Sequence, residues 1–296
     1  MKSTALALLA FVSGLPALGQ HIPDLYLHPS TSLSGDWNTI VDPYESGFYD
    51  YRWNQRDQSK DPGRAESFFL DAVAKDKQER VEYNFNTSPT LKVPGDWNTQ
   101  KPEFFYYEGS MWYRRTFDLA GAKETERVFI RFGAVNYRAD VYLNGRKLGT
   151  HWGGFTPFEF ELPAKLVREK ENSLVVRVDN KRFREAVPTL NTDWWNYGGI
   201  TREVTLVRTP MTFIASHSLA LESEKTGAVA ARVRLSEAKP GENITVEIPE
   251  LGISQSAQTN ADGVAGLRFN IPKAELWSPE NPKLYQVKVS HGGVVL

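Results

Sequence analysis

The amino-acid sequence predicts an all-β protein built from β-sandwiches, and three observations indicate this fold class. Short runs in which apolar and polar residues alternate recur along the chain, as in Val128, Ile130 and Phe132, which share one face of a strand. Turn signals separate these runs, the strongest being Asn144-Gly145 between two strand-like segments. Helix signals are few, so the alternating runs are expected to pair with one another into sheets.

The first residues have the pattern of a secretory signal peptide. Lys2 gives a basic start, residues 5–12 form an apolar core too short to span a bilayer, and residues 17–19 offer small residues for cleavage. The sequence therefore predicts a signal peptide over residues 1–19 and a periplasmic or secreted location in a bacterium. The chain contains no Cys, so its stability is expected to come from an apolar core and not from disulfides.

Residues 25–209 are expected to form the first domain, because they contain a dense series of alternating segments. Leu174, Val176 and Val178 face one way, and residues 158–161 (FEFE) alternate without interruption. A single helix is predicted, at residues 67–78, within a charged insertion. The predicted strands are 111–117, 128–132, 140–143, 146–148, 158–161 and 174–178.

A domain boundary is expected near Thr209-Pro210, because the aromatic residues become sparse beyond it. Residues 210–296 suit an immunoglobulin-like β-sandwich, a fold that normally has about seven strands. Only five or six strands are evident, and the chain ends where a final hairpin would begin, so this second sandwich is expected to be incomplete. The predicted strands are 213–221, 228–235, 244–248, 264–269 and 284–289.

Composition excludes several classes of function. The formal net charge of -1 gives no electrostatic case for binding nucleic acid or an anionic membrane, and neither partner is expected. The five His residues are far apart and no pair has metal-ligand spacing, so no metal site is predicted. There is no Gly-x-Ser-x-Gly nucleophile motif and no phosphate-binding glycine loop, and no cofactor is expected.

The most informative stretch is residues 191–204, where an acid, two indoles and an amide stand close together. Trp194 and Trp195 have flat apolar faces that suit the C–H face of a sugar ring, whereas Asp193 and Asn196 can hydrogen-bond its hydroxyls. Two structural alternatives stay open. Asp193 could instead cap the turn that follows it, and the aromatic residues here and at 44–51 could pack inside the protein.

Seven stretches of the chain, in this order, resemble the N-terminal part of glycoside hydrolase family 2, which includes β-galactosidases, β-glucuronidases and β-mannosidases. No stretch is specific alone, but the series extends over about 250 residues of the 296. The stretches are 33–37 (LSGDW), 93–98 (VPGDWN), 112–117 (WYRRTF), 132–135 with 141–145 (FGAV and VYLNG), 151–158 (HWGGFTPF), 193–200 (DWWNYGGI) and 276–279 with 282–285 (LWSP and PKLY).

The resemblance implies a jelly-roll, galactose-binding-like domain followed by an immunoglobulin-like domain. In the family a TIM barrel comes next and carries both catalytic glutamates, which in retaining enzymes lie about 5–5.5 Å apart. This chain ends before such a barrel, so no catalytic residue is assigned and the 296 residues are expected to be inactive alone. The family aspartate that matches Asp193 binds a hydroxyl of the terminal sugar, which makes Asp193 the leading substrate-binding residue. Trp194, Trp195 and Asn196 are its candidate companions.

The sequence thus predicts the N-terminal portion of an exported, exo-acting β-glycoside hydrolase whose partner is a carbohydrate substrate. A homo-oligomer, as in related enzymes, is a further expectation. A free-standing, non-catalytic carbohydrate-binding module is the alternative, and a structural sandwich for adhesion is a third hypothesis. The asparagine contact of the β-galactosidase type has no counterpart in the loop 104–109, and the choice among galactoside, glucuronide and mannoside stays open.

Overall fold

The structure, a computed structural model, describes residues 17–59, 67–73, 83–121 and 125–296. Strands dominate this part of the chain, which confirms the predicted all-β class. Most of the predicted signal peptide and residues 74–78 of the predicted helix lie outside the described residues. No helix in the described residues is long and apolar enough to cross a membrane.

In its described residues, the first sandwich contains thirteen strands and one short α-helix, α1, at Trp97–Gln100. The strands are β1 Ala17–Leu18, β2 Ser30–Ser32, β3 Gly35–Asp42, β4 Thr90–Val93, β5 Gly95–Asp96, β6 Ser110–Phe117, β7 Glu126–Phe132, β8 Arg138–Leu143, β9 Arg146–Trp152, β10 Phe158–Glu161, β11 Asn172–Asp179, β12 Gly199–Ile200 and β13 Val204–Pro210.

Two sheets face each other in this sandwich and form the predicted jelly roll. A seven-stranded sheet has the order β1-β9-β8-β11-β6-β3-β4, and a four-stranded sheet has the order β10-β7-β13-β2. All pairs are antiparallel except β1 with β9. The alternation predicted the inward faces correctly, because Ile130 and Phe132 of β7 lie in one core with Val176 and Val178 of β11.

The hairpin predicted at Asn144-Gly145 joins β8 to β9. Both residues have positive φ, at 49° and 77°, which is the conformation that a two-residue hairpin turn of this type requires. The turn places Arg138 of β8 opposite Trp152 of β9.

The outer face of the seven-stranded sheet is also buried, because the insertion between β3 and β4 packs on it. Phe48, Phe68 and Phe69 form a second apolar cluster with Trp112 of β6 and Tyr142 of β8. The helix predicted at 67–78 is not found in its described part, where residues Phe68–Leu70 form a single 3-10 turn. Phe68 and Phe69 are both buried against the sheet.

The second sandwich consists of seven strands in two sheets, ordered β14-β15-β18 and β17-β16-β19-β20. This is two more than the five predicted segments, because the polar edge strand β17 and the very short β20 also pair. The strands are β14 Ile214–Ser223, β15 Ala228–Leu235, β16 Asn243–Ile248, β17 Ile253–Gln258, β18 Val264–Asn270, β19 Lys288–His291 and β20 Val294–Val295. Their apolar faces enclose a separate core around Val233, Ile244 and Val246.

Candidate functional site

The stretch 191–204 lies mostly in the loop between β11 and β12, at one end of the first sandwich. Asn180, fully buried, begins this loop and ties it to the loop before β6. Its Oδ1 accepts a hydrogen bond from the Gly109 amide at 2.9 Å, and its Nδ2 donates to the Asn196 carbonyl at 2.7 Å. The loop is therefore fixed by polar contacts at a point next to the sequence-predicted site.

Asn196 lies inside the protein, with only 4% of its surface exposed. Its Nδ2 donates to the Asn180 carbonyl, and its Oδ1 accepts from Asn136 Nδ2 at 2.9 Å. Asn136 Nδ2 also donates to the Tyr197 carbonyl. Both ends of the Asn196 amide are thus engaged within the protein, and the structure gives this side chain a supporting position.

Asn98, which follows Trp97 in α1, joins the site loop to the aromatic loop 101–109. Its Oδ1 accepts from the Gly198 amide at 2.9 Å, and its Nδ2 donates to the Phe104 carbonyl at 3.0 Å. Gly198 is required by close packing, because a Cβ at this position would lie 2.1 Å from the Trp97 ring. Asn98 therefore holds the site loop and the aromatic loop next to each other.

Arg182 clamps the part of the loop that contains Asp193. Its Nη1 donates to both the carbonyl and the hydroxyl of Thr192, each at 3.0 Å, and its Nη2 donates to the Trp194 carbonyl at 3.2 Å. The same guanidinium pairs with Glu108 at 2.9 Å. Because the residues on either side of Asp193 are held by one side chain, the position of Asp193 is restricted.

The Asp193 side chain itself is exposed and makes no hydrogen bond or ion pair with the residues that the structure describes. The alternative prediction, a turn-capping aspartate, is therefore not observed there. Trp194 is 62% exposed and Trp195 38% exposed. An unpaired carboxylate next to two partly exposed indoles is an arrangement that can accept hydrogen bonds from hydroxyls and cover apolar C–H groups.

An aromatic surface surrounds Trp195, and its other members are not among the four predicted site residues. The Trp195 ring centroid lies 5.0 Å from that of Phe105, 5.4 Å from that of Tyr106 and 6.3 Å from that of Tyr197. Trp195 and Tyr106 line a small cleft of about 140 Å³ together with Asn98, Glu108 and Arg182. Phe105 and Tyr106 are about ninety positions away from Trp195, so only the fold reveals that they meet.

Groups that commonly support other chemistry are not assembled in this part of the chain. No cluster of three or more metal-ligating side chains occurs in the described residues. Burial raises the pKa of the Tyr107 phenol, nearby negative charges raise it further, and its hydroxyl donates to the Ser110 carbonyl at 2.6 Å. Tyr107 therefore acts as a neutral hydrogen-bond donor that supports the aromatic loop.

Comparison with known protein families gives two adjacent matches. The family model "Glycosyl hydrolases family 2, sugar binding domain" matches residues 63–210, and the model "Glycosyl hydrolases family 2" matches residues 212–295. Together the two matches extend over most of both sandwiches, and the site loop lies in the first.

Curated relatives are glycosidases of greater length. A β-glucuronidase of Bacteroides fragilis is 30% identical over 225 residues, which cover 68% of this chain and 32% of the relative. A putative β-glucuronidase of Formosa agariphila is 26% identical (68% of this chain, 26% of the relative), and a β-galactosidase of Thermoanaerobacter pseudethanolicus is 25% identical (73% and 31%). The chain therefore spans about a quarter to a third of these relatives.

Solved structures share the fold. The β-glucuronidase of Bifidobacterium dentium, complexed with coumarin-3-O-glucuronide, superposes with a TM-score of 0.69 at 23% identity, covering 88% of this chain and 44% of that chain. A β-glucuronidase of Faecalibacterium prausnitzii gives a TM-score of 0.68 at 23% identity, covering 91% and 45%. At this identity the similarity establishes the architecture of the two sandwiches.

Proposed function

Because the chain belongs to glycoside hydrolase family 2, we propose that it is the N-terminal, substrate-binding portion of an exported, exo-acting β-glycoside hydrolase. The observation that carries this proposal is the exposed carboxylate of Asp193. It has no partner among the described residues, yet Arg182 holds its neighbours Thr192 and Trp194 in place. A carboxylate that is restricted in position and free of internal bonds is suited to receive a ligand.

Each residue of the site has a distinct role in this proposal. Asp193 accepts a hydrogen bond from a hydroxyl of the terminal sugar, because an ionised carboxylate is a strong acceptor for such groups. Trp194 and Trp195 cover the apolar face of the sugar or of the group attached to it. Asn196, buried and hydrogen-bonded at both ends of its amide, supports the loop and does not touch the ligand.

We place the catalytic chemistry outside these 296 residues, and the chain alone is proposed to be inactive. The chain's coverage of only 26% to 32% of its curated glycosidase relatives supports this placement. Retaining hydrolysis needs two carboxyl groups about 5–5.5 Å apart, one as nucleophile and one as acid and base. In this scheme the chain orients the substrate, and the pair acts from another domain.

Location and assembly are part of the proposal. The signal-like pattern of residues 1–19 supports export to the periplasm or the medium. The partner is a carbohydrate with a β-glycosidic bond, and the whole enzyme is proposed to assemble as a homo-oligomer. A free-standing carbohydrate-binding module is the second candidate, and the cleft beside Trp195 favours it because the described residues form that cleft by themselves.

Two measurements on the purified chain test these proposals. No turnover of aryl β-glucuronide or aryl β-galactoside is expected, and sustained turnover abolished by one carboxylate substitution would refute the placement of catalysis.

Saturation-transfer NMR with methyl β-glucuronide and methyl β-galactoside is expected to show weak binding that Asp193→Ala removes. The exposed Asp262, in a turn of the second sandwich, supplies the matched control Asp262→Ala. Equal binding by Asp193→Ala and the control would contradict the site, and tight binding of either sugar would favour the module.

A further inference from the structure

A second cleft, of about 280 Å³, opens beside the first and shares Arg182 with it. Its walls come from the insertion between β3 and β4, from the facing ends of β8 and β9, and from the segment that follows β11. Tyr49, Arg138, Trp152, Lys181 and Phe183 line it. None of these residues belongs to the site around Asp193.

An aromatic wall is the first notable property of this cleft. Trp152 is 47% exposed although it lies at the end of a strand. The Phe183 ring meets it edge-on at 5.7 Å, and Tyr137 does so at 6.2 Å, while the Arg138 guanidinium lies 4.7 Å from its centroid. The indole is therefore fixed in orientation on several sides but retains a large accessible surface.

Compensated charge is the second property. Every cation that lines the cleft has a carboxylate partner at the same distance of 2.9 Å, and two of these carboxylates, Glu45 and Asp179, line the cleft themselves, so a ligand there meets charges of both signs. The pairs are Arg138 with Asp140, Arg177 with Asp179, Lys181 with Glu45 and Arg182 with Glu108.

Some of this polar capacity is still available to a ligand. Lys181 is 44% exposed at its side chain, and its ammonium has three donors of which the Glu45 pair uses one. An anionic ligand would be repelled by the carboxylates of Glu45 and Asp179. A cationic ligand would be repelled by Arg138 and Lys181. Hydroxyl groups, which both donate and accept, suit these walls better.

We propose that this cleft is a second carbohydrate-binding site, which takes a neutral pyranose unit of an oligosaccharide. The exposed indole of Trp152 covers the C–H face of the sugar ring, and Lys181 with its carboxylate partner binds the hydroxyls at the rim. The site shares Arg182 with the first cleft, but none of its lining residues comes from the loop 191–197.

The test is a titration of the full chain with neutral tetrasaccharides of β-1,4-linked glucose, galactose, mannose and xylose, followed by calorimetry. At least one tetrasaccharide is expected to bind, and Trp152→Ala is expected to weaken it about tenfold, the cost of losing one well-placed aromatic contact. Lys181→Ala should weaken it by about threefold to tenfold. Trp277→Ala, which removes a 59% exposed Trp from the second sandwich, is the matched control and should bind as the unmodified chain does.

Three results would overturn the proposal. Binding of none of the four tetrasaccharides is one, and unchanged binding in both Trp152→Ala and Lys181→Ala is another. Loss of binding in Asp193→Ala but not in Trp152→Ala is the third, since it would assign the oligosaccharide to the first cleft. That third result would not contradict the proposed function. Conversely, if Asp193→Ala binds the methyl glycosides as well as its control does, the proposed function fails but this second site is not contradicted.

Discussion

Arg182 donates two hydrogen bonds of 3.0 Å to Thr192, one to its carbonyl and one to its hydroxyl. This contact fixes the residue immediately before Asp193, and a third bond fixes the residue immediately after it. The candidate site is therefore organised by polar side chains that hold backbone groups, and not by burial of the site residues. Such an arrangement leaves the ligand-facing side chains exposed while their backbone is restrained.

Removing the Arg182 guanidinium is expected to loosen the loop that carries Asp193. Arg182→Ala deletes the hydrogen bonds to Thr192 and Trp194, and each such bond contributes on the order of 1 kcal/mol. We expect faster hydrogen exchange at the amides of residues 190–196, measured by mass spectrometry, with unchanged exchange in the second sandwich. Arg184→Ala, at an exposed neighbouring position, is the control. Identical exchange in both variants would show that Arg182 does not restrain the loop.

Asn196 and Trp194 are expected to differ sharply in their contribution to stability. Asn196→Ala leaves the carbonyl of Asn180 without its partner and removes one of the two hydrogen bonds of Asn136 Nδ2, at a cost of about 1–3 kcal/mol. Trp194→Ala removes a mostly exposed side chain and should change the free energy of unfolding by less than about 0.5 kcal/mol. Urea unfolding of both variants measures the difference. Equal costs would contradict the division into supporting and ligand-facing residues.

Gly198→Ala is expected to displace the site loop, because the added Cβ would lie 2.1 Å from the buried Trp97 ring. Overpacking of this kind costs about 1–3 kcal/mol. Gly266→Ala is the matched control, since a Cβ there meets no atom within 4 Å. Thermal unfolding should show a lower Tm for Gly198→Ala alone, and the Trp97 fluorescence environment should change with it. A Tm equal to that of the control would mean that the loop can move without cost.

The fold could be predicted because its signals are local. Each inward-facing strand residue, such as Ile130 or Val176, alternates with a neighbour on the same strand, and the hairpin at Asn144 depends on two adjacent residues. Strand β17 was not predicted, because it lacks this local alternation. It lies at the edge of its sheet with most side chains exposed, so its sequence (ISQSAQ) needs no apolar alternation.

The candidate site could be predicted only in part, because its supporting contacts are distant in sequence. The block 193–197 is conspicuous in itself, since the acid and the aromatic residues are adjacent. Asn98 and Asn180 look like ordinary turn residues, and nothing local indicates that they hold the same loop from opposite sides. The meeting of Trp195 with Phe105 likewise exists only once α1 and the loop after β11 are folded together.

Asp140 is expected to make the stability of the first sandwich depend on pH. Its buried carboxylate contacts Arg138, Lys147 and Arg177 at 2.9–3.1 Å. Burial alone would raise the pKa of this carboxyl, but the three cations outweigh burial and lower the pKa below its ordinary value of 3.8. The folded state therefore favours the ionised form, so this stabilisation is present above about pH 4 and is lost as the pH falls through the lowered pKa.

The variant Asp140→Asn tests this pH dependence. At pH 7 it removes the carboxylate of Arg138 and one of the carboxylates of Lys147 and Arg177, which keep Asp57 and Asp179, and should destabilise the chain by at most about 3–5 kcal/mol. Because the unmodified chain loses the same interaction in acid, the difference in the free energy of unfolding between the two proteins should narrow as the pH falls below 3.8. Asp262→Asn, at an exposed turn, should match the unmodified chain at each pH. A difference between Asp140→Asn and the unmodified chain that stays constant from pH 7 to pH 3 would mean that the carboxylate acts through its shape and hydrogen bonds and not through its charge.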